Sequence, residues 1–332
     1  MIRDPRVLDD EVVPDHELIL HRRDEMEALL SALRPRMNAR DHVFAFGPTG
    51  TGKSTLARLA LTLLEEDGEA FDATVVNCWK FPTRSDVLRA IASDLVSVTV
   101  NTRSTPTADL TSKLHDEPDR PRIVILDEAD QLADTDVLYD LHRAPSLAVL
   151  YIGNDEDDLF AGMADRVRSR VATGRRIDFE RYSTDELSEI LEARADHAFR
   201  SGAISMRQLE AIASAADGDA RTAIRALKLA AENATENGHL RVSDADVEAA
   251  IPHAREQLRQ KSLSQLTSEQ RLVYDIIRDN GPISPADIYE RYTSAVNDPK
   301  TKRTVRSYLS KMRHYNLVEP HGPRNSRTYT SL

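Results

Sequence analysis

Apolar residues change their spacing three times along this chain. Between residues 42 and 179, short apolar runs alternate with helical stripes. His42-Val43-Phe44-Ala45-Phe46, Ala73-Thr74-Val75-Val76-Asn77-Cys78, Arg122-Ile123-Val124-Ile125-Leu126, Leu147-Ala148-Val149-Leu150-Tyr151-Ile152 and Arg176-Ile177-Asp178-Phe179 read as strands. The stripe Leu56, Leu59, Ala60, Leu63, Leu64 predicts a helix over 53–66. Val87, Leu88, Ile91 and Leu95 predict one over 86–96, and Met26, Leu29, Leu30 and Leu33 one over 25–33, closed by Pro35. Strands alternating with helices imply a doubly wound parallel sheet, and runs such as Ile123 to Leu126 suit burial on both faces. Residues 1–20 show no clear period, and 100–107, with Pro106, read as a loop.

From Asp185 the pattern is helical only. Helices are expected over 184–199, 205–216, 220–233 and 243–251, separated by Gly202, Gly218 and Gly238, then a polar linker helix over 256–264. The last stretch changes again. Thr267-Ser268-Glu269-Gln270 opens one helix, Ser284-Pro285 a second and Asp298-Pro299 a third, which runs to about Tyr315. Leu317-Val318-Glu319 and Arg327-Thr328-Tyr329-Thr330 then flank the turn Gly322-Pro323-Arg324-Asn325 as a hairpin. Three helices and a terminal hairpin predict a winged helix-turn-helix. The expected domains are 1–180, an α/β nucleotide-binding domain; 181–258, a helical lid; and 259–332, the winged helix.

Composition narrows the setting. The 332 residues, 40% hydrophobic and 30% charged, suit a soluble globular protein of two or three domains. One cysteine, Cys78, excludes an internal disulfide framework and a cysteine-rich zinc site. No apolar run approaches a membrane span and the N-terminus is no signal peptide, so a cytoplasmic, nucleoid-associated location is expected. The net charge of −11 is uneven. Residues 261–332 hold 12 Lys and Arg against 7 Asp and Glu, leaving 32 against 48 for residues 1–260. An acidic body with a basic tail points to an anionic partner for the tail. Only 8 of 44 basic residues are lysine, and Asp outnumbers Glu 33 to 22, a bias that keeps a surface hydrated in concentrated salt and suggests a salt-loving source.

The chemistry concentrates in Gly47-Pro48-Thr49-Gly50-Thr51-Gly52-Lys53-Ser54, followed by Thr55. It fits G-x-x-x-x-G-K-[ST] between a strand and a helix, the context a phosphate loop needs. Its glycines let backbone N–H groups face phosphate oxygens, and the helix start favours anions. Lys53 is expected to reach the β/γ-phosphates and Ser54 to ligate Mg²⁺. Asp127 and Glu128 end a strand, where ligands of open α/β sheets bind. Asp127 is the expected Mg²⁺ holder and Glu128 the residue that activates water, with Asn154 orienting it. Asp165-Arg166-Val167-Arg168-Ser169-Arg170 offers an arginine finger for a neighbouring subunit, and Arg221, in a helix's first turn, a sensor of the γ-phosphate. In the tail, Lys300, Lys302, Arg303, Arg306, Lys311 and Arg313 lie on or near one helix, with Arg324 and Arg327 on the hairpin. A helix and wing so charged suit duplex DNA.

These motifs, in this order, resemble the archaeal replication initiators related to the origin recognition complex and the cell-division-control helicase loader. These are AAA+ ATPases. The resemblance spans nearly the whole chain. Gly47 to Ser54 is similar to Walker A, Leu126 to Asp130 to Walker B, Ile152 to Asp155 to sensor 1 and Gly218 to Arg221 to sensor 2, while Arg166 matches the arginine after sensor 1. Val13-Pro14 with His21-Arg22 resembles the family's segment near the adenine, which places Val13, Pro14 and Arg22 in the cofactor site. The resemblance implies ATP/ADP and Mg²⁺ as cofactors, slow hydrolysis, binding of origin DNA, recruitment of the replicative helicase and self-association on DNA. It also implies a DNA-touching insertion within about 81–107, where Arg84 and Arg89 are the basic residues. Two other readings stay open: a regulatory ATPase whose winged helix binds protein, and a clamp-loader-like motor.

Overall fold

The two most apolar strands lie at the centre of the sheet and are buried along their whole length. The computed structural model describes residues 2–10, 12–95, 105–161, 163–323 and 326–332. Its contacts divide the chain into two compact units, residues 1–247 and 248–332. In the first, α1 (Arg23–Leu33), β1 (Arg40–Phe46), α2 (Lys53–Glu66), β2 (Asp72–Asn77), α3 (Arg84–Leu95) and α4 (Thr107–His115) come first. They are followed by β3 (Arg122–Asp127), α5 (Asp136–Arg143), β4 (Leu147–Gly153), α6 (Glu156–Ala161), α7 (Asp165–Val171) and β5 (Arg175–Asp178). The five strands are parallel in the order β2-β3-β4-β1-β5. This order brings the ends of β3, β4 and β1 side by side, and with them the three loops that carry the expected chemistry.

Strand alternation feeds two cores. Phe44, Phe46, Val124, Leu126, Val149 and Tyr151 face one layer, with Val87, Leu88 and Ile91 of α3 and Val137, Leu138 and Leu141 of α5. Val43, Ala45, Ile123, Ile125, Leu150 and Ile152 face the other, with Leu29 and Leu33 of α1 and Leu56, Ala57, Ala60 and Leu64 of α2. With both faces covered, alternation is invisible in the sequence and the central strands read as unbroken apolar runs.

One polar array is buried in the first layer. His42 Nδ1 lies 2.9 Å from Tyr151 Oη, and His42 Nε2 lies 2.9 Å from Nδ1 of His142. Neutral imidazoles satisfy the array when the tyrosine hydroxyl donates to His42 and His42 donates to His142. Burial pushes His42 down to about 4, and the neighbouring His142 adds to the shift. The unfolded chain therefore takes up a proton near pH 6.5 that the folded chain refuses until about pH 4. We expect full stability from this group above pH 6.5 and a loss of about 3 kcal/mol as pH falls to 4. Urea unfolding at a series of pH values, against His42→Asn, checks it. An acid limb equally steep in the variant would discount His42.

The rest of the first unit is helical: α8 (Thr184–Ala198), α9 (Met206–Ala216), α10 (Ala220–Glu236) and the start of α11 (Asp244–Ser264). Capping boxes at Ser183 and Ser205 start α8 and α9. The N-terminal residues, without periodicity, form two short 3₁₀ turns (Pro5–Leu8 and His16–Leu18). The first lies against α8 and α10, with Leu8 fully buried. Ile2 pairs with Phe199, Arg194 donates to the Val7 carbonyl, and Arg225 donates to Asp10 at 2.5 and 3.0 Å.

In the second unit, α12 (Ser268–Asn280), α13 (Pro285–Ala295) and α14 (Lys302–His314) precede an antiparallel pair, β6 (Val318–His321) and β7 (Thr328–Ser331). Val273, Ile277, Ile288, Tyr292, Val305, Leu309, Met312 and Val318 form its core. Among the described residues no helix is long and apolar enough to cross a membrane.

Two sequence expectations are corrected, and helices α4, α5 and α6 had no counterpart in the sequence reading. Of the loop expected over 100–107, residues 105 and 106 are without regular structure, Thr107 opens α4, whose Leu110 and Leu114 are buried, and residues 100–104 lie outside the described residues. The helices expected over 243–251 and 256–264 are one, α11, which runs through Pro252. Pro252 and Glu248 are both exposed, so water can satisfy the Glu248 carbonyl that the proline leaves without its helical donor. The third helix of the second unit starts at Lys302 rather than at Asp298-Pro299. Lys300 is held outside it by the Tyr289 and Tyr292 hydroxyls, and Thr301 caps the helix by accepting from the Thr304 N–H.

Candidate functional site

Residues 47–52 connect β1 to α2 and fold back against two other segments. Gly47 has φ +150, and a Cβ there would stand 2.1 Å from the Phe179 carbonyl oxygen. Gly50 has φ +74, and a Cβ there would stand 1.9 Å from Asp219 Oδ1. At Gly47 the contact is with backbone and only glycine fits; at Gly50 the positive φ favours glycine and the neighbour is the Asp219 carboxylate. Ala220 N–H, at the start of α10, donates to the Gly50 carbonyl at 3.0 Å. The loop is thus clasped between the end of β5 and the first turn of a helix from the helical subdomain. Thr51 is fully buried, its hydroxyl donating to the Pro48 carbonyl at 2.9 Å. Thr49, Ser54 and Thr55 are half-buried on the same turn.

Lys53, in the first turn of α2, is buried and donates to the carbonyls of Gly47 and Pro48 at 2.6 Å and to Asn154 Oδ1 at 3.3 Å. Burial pushes its ammonium down to about 8, against the pull of Asp127 and Asp130; Arg221 pushes with burial. Arg221, exposed, is therefore within electrostatic reach of the loop lysine. The Ser54 hydroxyl donates to Asp127 Oδ1 at 2.8 Å. Asn154 donates through its backbone N–H and its side chain to Asp130 Oδ2, both at 3.3 Å. Burial raises the Asp130 pKa against those bonds. Glu128 takes a left-handed backbone, φ 58 and ψ 42, between the end of β3 and a short 3₁₀ turn.

The structure therefore brings together two bonded pairs on adjacent residues, Lys53 with Asn154 and Ser54 with Asp127, with Glu128 next to Asp127 in the chain and Arg221 within electrostatic reach of Lys53. Val13 and Pro14 are half-buried in the extended stretch between the two 3₁₀ turns. Arg22 is buried and its guanidinium faces protein: Thr51 O at 3.2 Å, Glu180 O at 2.5 Å and Glu25 Oε1 at 2.9 Å. Arg166 pairs with Asp136 at 3.1 Å and, with Arg143 and Arg170, surrounds the Tyr139 ring. Two residues that the sequence reading gave no site role enter the site, Asp130 through Asn154 and Asp219 through Gly50. Asp130 stood in the quoted strand-end motif and Asp219 beside Arg221; what the sequence lacked was the fold that brings each to the loop.

Residues 36–161 match the model of an AAA domain, and residues 188–252 that of the Cdc6 AAA+ ATPase-type lid domain. ORC1-type DNA replication protein 9 of Halobacterium salinarum is 40% identical over 99% of this chain and 94% of its own length. The chain belongs to the ORC1-type DNA replication proteins. ORC1-type DNA replication protein 1 of the same organism is 36% identical over 92% of this chain and all of its own. Among solved structures, the ORC1 protein of Aeropyrum pernix in complex with DNA is 26% identical, with a TM-score of 0.74 over 99% of this chain and 93% of that one. The Asp-rich, Lys-poor composition fits the family's members from Halobacterium.

The basic residues of the second unit separate by face. Lys302, Arg303, Arg306 and Arg313 are exposed on α14, whereas Lys311 is buried and leaves the expected basic face. Lys300 lies 3.7 Å from Glu269. Arg327 is half-buried, and Arg324 lies outside the described residues. Arg84 and Arg89 are engaged locally, Arg84 with both oxygens of Asp140 at 2.6 and 3.1 Å and Arg89 with Ser85 and Asp86.

Proposed function

We propose that this chain is an ATP-switched replication initiator that binds origin duplex DNA. The observation that carries the reading is the pair of bonds flanking the phosphate loop: Ser54 to Asp127 at the end of β3, and Ala220, in the first turn of α10, to Gly50. A phosphate on the loop meets catalytic and reporting groups together.

The residues fit a magnesium nucleotide. No group of three or more His, Cys, Asp or Glu stands ready for a metal among the described residues. Mg²⁺ at phosphates commonly takes only one or two protein oxygens, and Ser54 Oγ with Asp127 Oδ1 would provide them. The ion's contribution when bound is neutralisation of phosphate charge. Lys53 exchanges the Gly47 and Pro48 carbonyls for phosphate oxygens. Glu128 accepts a proton from the attacking water, which Asn154 orients from its anchor on Asp130. Arg221, exposed in the first turn of α10 and close enough to Lys53 to bear on its charge, engages the γ-phosphate, so loss of that phosphate releases the first turn of α10. Arg166 is the finger for a neighbouring copy. Turnover is slow, and the bound nucleotide sets the state of the helical subdomain.

DNA is held by the exposed face of α14, through Lys302, Arg303 and Arg306, with Lys300 before it and Arg327 just ahead of β7; Arg324, outside the described residues, joins them as a sequence expectation. Recruitment of the replicative helicase and self-association on DNA complete the reading, supported by the family resemblance. Gel-shift titration of origin duplex against salt tests the DNA step. The affinity should fall steeply with salt, and Arg303→Ala with Arg306→Ala should reduce the slope of log K against log salt by about two. An unchanged slope would refute the assignment, and salt-insensitive binding would favour a protein partner for the winged helix.

A further inference from the structure

Arg22 has the surroundings of a coupling element. It is 6% exposed, and its three nitrogens serve three different segments. Nε donates to the Thr51 carbonyl of the phosphate loop at 3.2 Å, Nη2 to the Glu180 carbonyl at 2.5 Å, and Nη1 to Glu25 of α1 at 2.9 Å. The guanidinium carbon sits 4.0 Å from the centre of the Tyr182 ring and 5.8 Å from that of Phe179. Residues 179–183 join β5 to α8, so they form the hinge between the sheet and the helical subdomain.

The hinge touches the site twice more. The Phe179 carbonyl presses on Gly47, and Tyr182 N–H donates to the Gly218 carbonyl at 3.4 Å, one residue before Asp219 packs on Gly50. A hinge rotation that moves Glu180 must break its bond to Arg22 or carry Arg22, and with it Thr51. Only a planar, forked cation can bond three segments while lying against an aromatic ring. Glu25 supplies the counter-charge that lets such a group stay buried.

We infer that Arg22 is a positioning residue that couples the phosphate loop to the hinge, so that the nucleotide's phosphate content is read out as subdomain angle. The inference rests on the switch reading above and gives Arg22 a role that needs no contact with the base. It acts through Thr51 and Glu180.

The test uses the full chain with spin labels on cysteines placed at Glu65 of α2 and Glu210 of α9, both exposed; the buried Cys78 does not compete. Inter-label distances are measured with saturating Mg²⁺-ADP and with the non-hydrolysable analogue AMP-PNP. Wild type should give two distances. Arg22→Lys, which keeps the charge but not the fork, should bring the two distances together while weakening nucleotide affinity by about tenfold or less, since Arg22 acts on the nucleotide only through the Thr51 carbonyl. Tyr182→Leu keeps the guanidinium and removes the ring; it should reduce the difference in the same direction, and it carries the test if Arg22→Lys does not fold. A difference that survives at saturation in both variants overturns the inference. So does an affinity loss of hundredfold or more with the difference intact, since Arg22 would then be a ligand of the nucleotide. A wild type that gives one distance with both nucleotides overturns the switch reading itself, and the inference with it.

Discussion

Replacing Glu128 with glutamine is expected to lower ATP turnover by about two to three orders of magnitude while leaving ATP bound. Glutamine keeps the size and the acceptor oxygen but loses the basicity. On the function proposed above, the backbone explains why the base sits at this position. Along a strand, adjacent side chains face opposite sides of the sheet. Asp127 is the last residue of β3, and the left-handed turn at Glu128 breaks the alternation, so both carboxylates can serve one site. A non-glycine residue in that region costs about 1 kcal/mol or more. Glu128→Gly should therefore be inactive yet melt above Glu128→Gln, because it removes the strain. Single-turnover phosphate release and nucleotide content after purification measure the first effect, and calorimetry the second. Wild-type turnover in Glu128→Gln would remove the residue from the mechanism.

The second large effect is steric. Gly47→Ala places a methyl group 2.1 Å from the Phe179 carbonyl oxygen and 2.9 Å from the Phe179 Cβ, at φ +150. Neither neighbour is free to yield, since Phe179 N–H donates to Phe46 at 2.7 Å and the ring lies in the core. Overpacking and the unfavourable φ together should cost about 3 kcal/mol, or a Tm lower by roughly 6–12 °C. Nucleotide affinity should fall with it, since the loop's carbonyls and N–H groups move. Gly68→Ala is the control: its φ is +82, but nothing lies within 4 Å of the added atom. Its loss should be about 1 kcal/mol, with nucleotide binding unchanged. Equal losses in the two variants would show that backbone strain, not the contact with Phe179, makes Gly47 necessary.

What was legible in the sequence had a local cause. The phosphate loop, Asp127 and Asn154 follow apolar runs whose ends mark the ends of strands, and α2 began and ended where its stripe did. The helical character after Asp185 was equally plain. The sequence was silent where a residue's role is set by a distant partner. Arg22 meets Thr51 and Glu180 across separations of 29 and 158 residues. Lys311 counts as a charge in the sequence but is buried in the fold, off the apolar stripe of Val305, Leu309 and Met312. Helix α5 is eight residues with three buried apolar positions, too short a stripe to stand out. The start of α14 was obscured because Asp298-Pro299 looks like a helix start, while the tyrosines of α13 hold Lys300 outside the helix.

The anchoring of the first ten residues has a consequence for the order of folding. Val7 and Asp10 are bonded to Arg194 and Arg225, partners 187 and 215 residues further along the chain. On the ribosome this segment emerges before its partners and can be seated only after α8 and α10 have been made. Leu8, fully buried in the finished protein, must wait exposed through most of synthesis. The charged residues around it, Arg3, Asp4, Arg6, Asp9 and Asp10, keep the waiting segment soluble and unattractive to other chains.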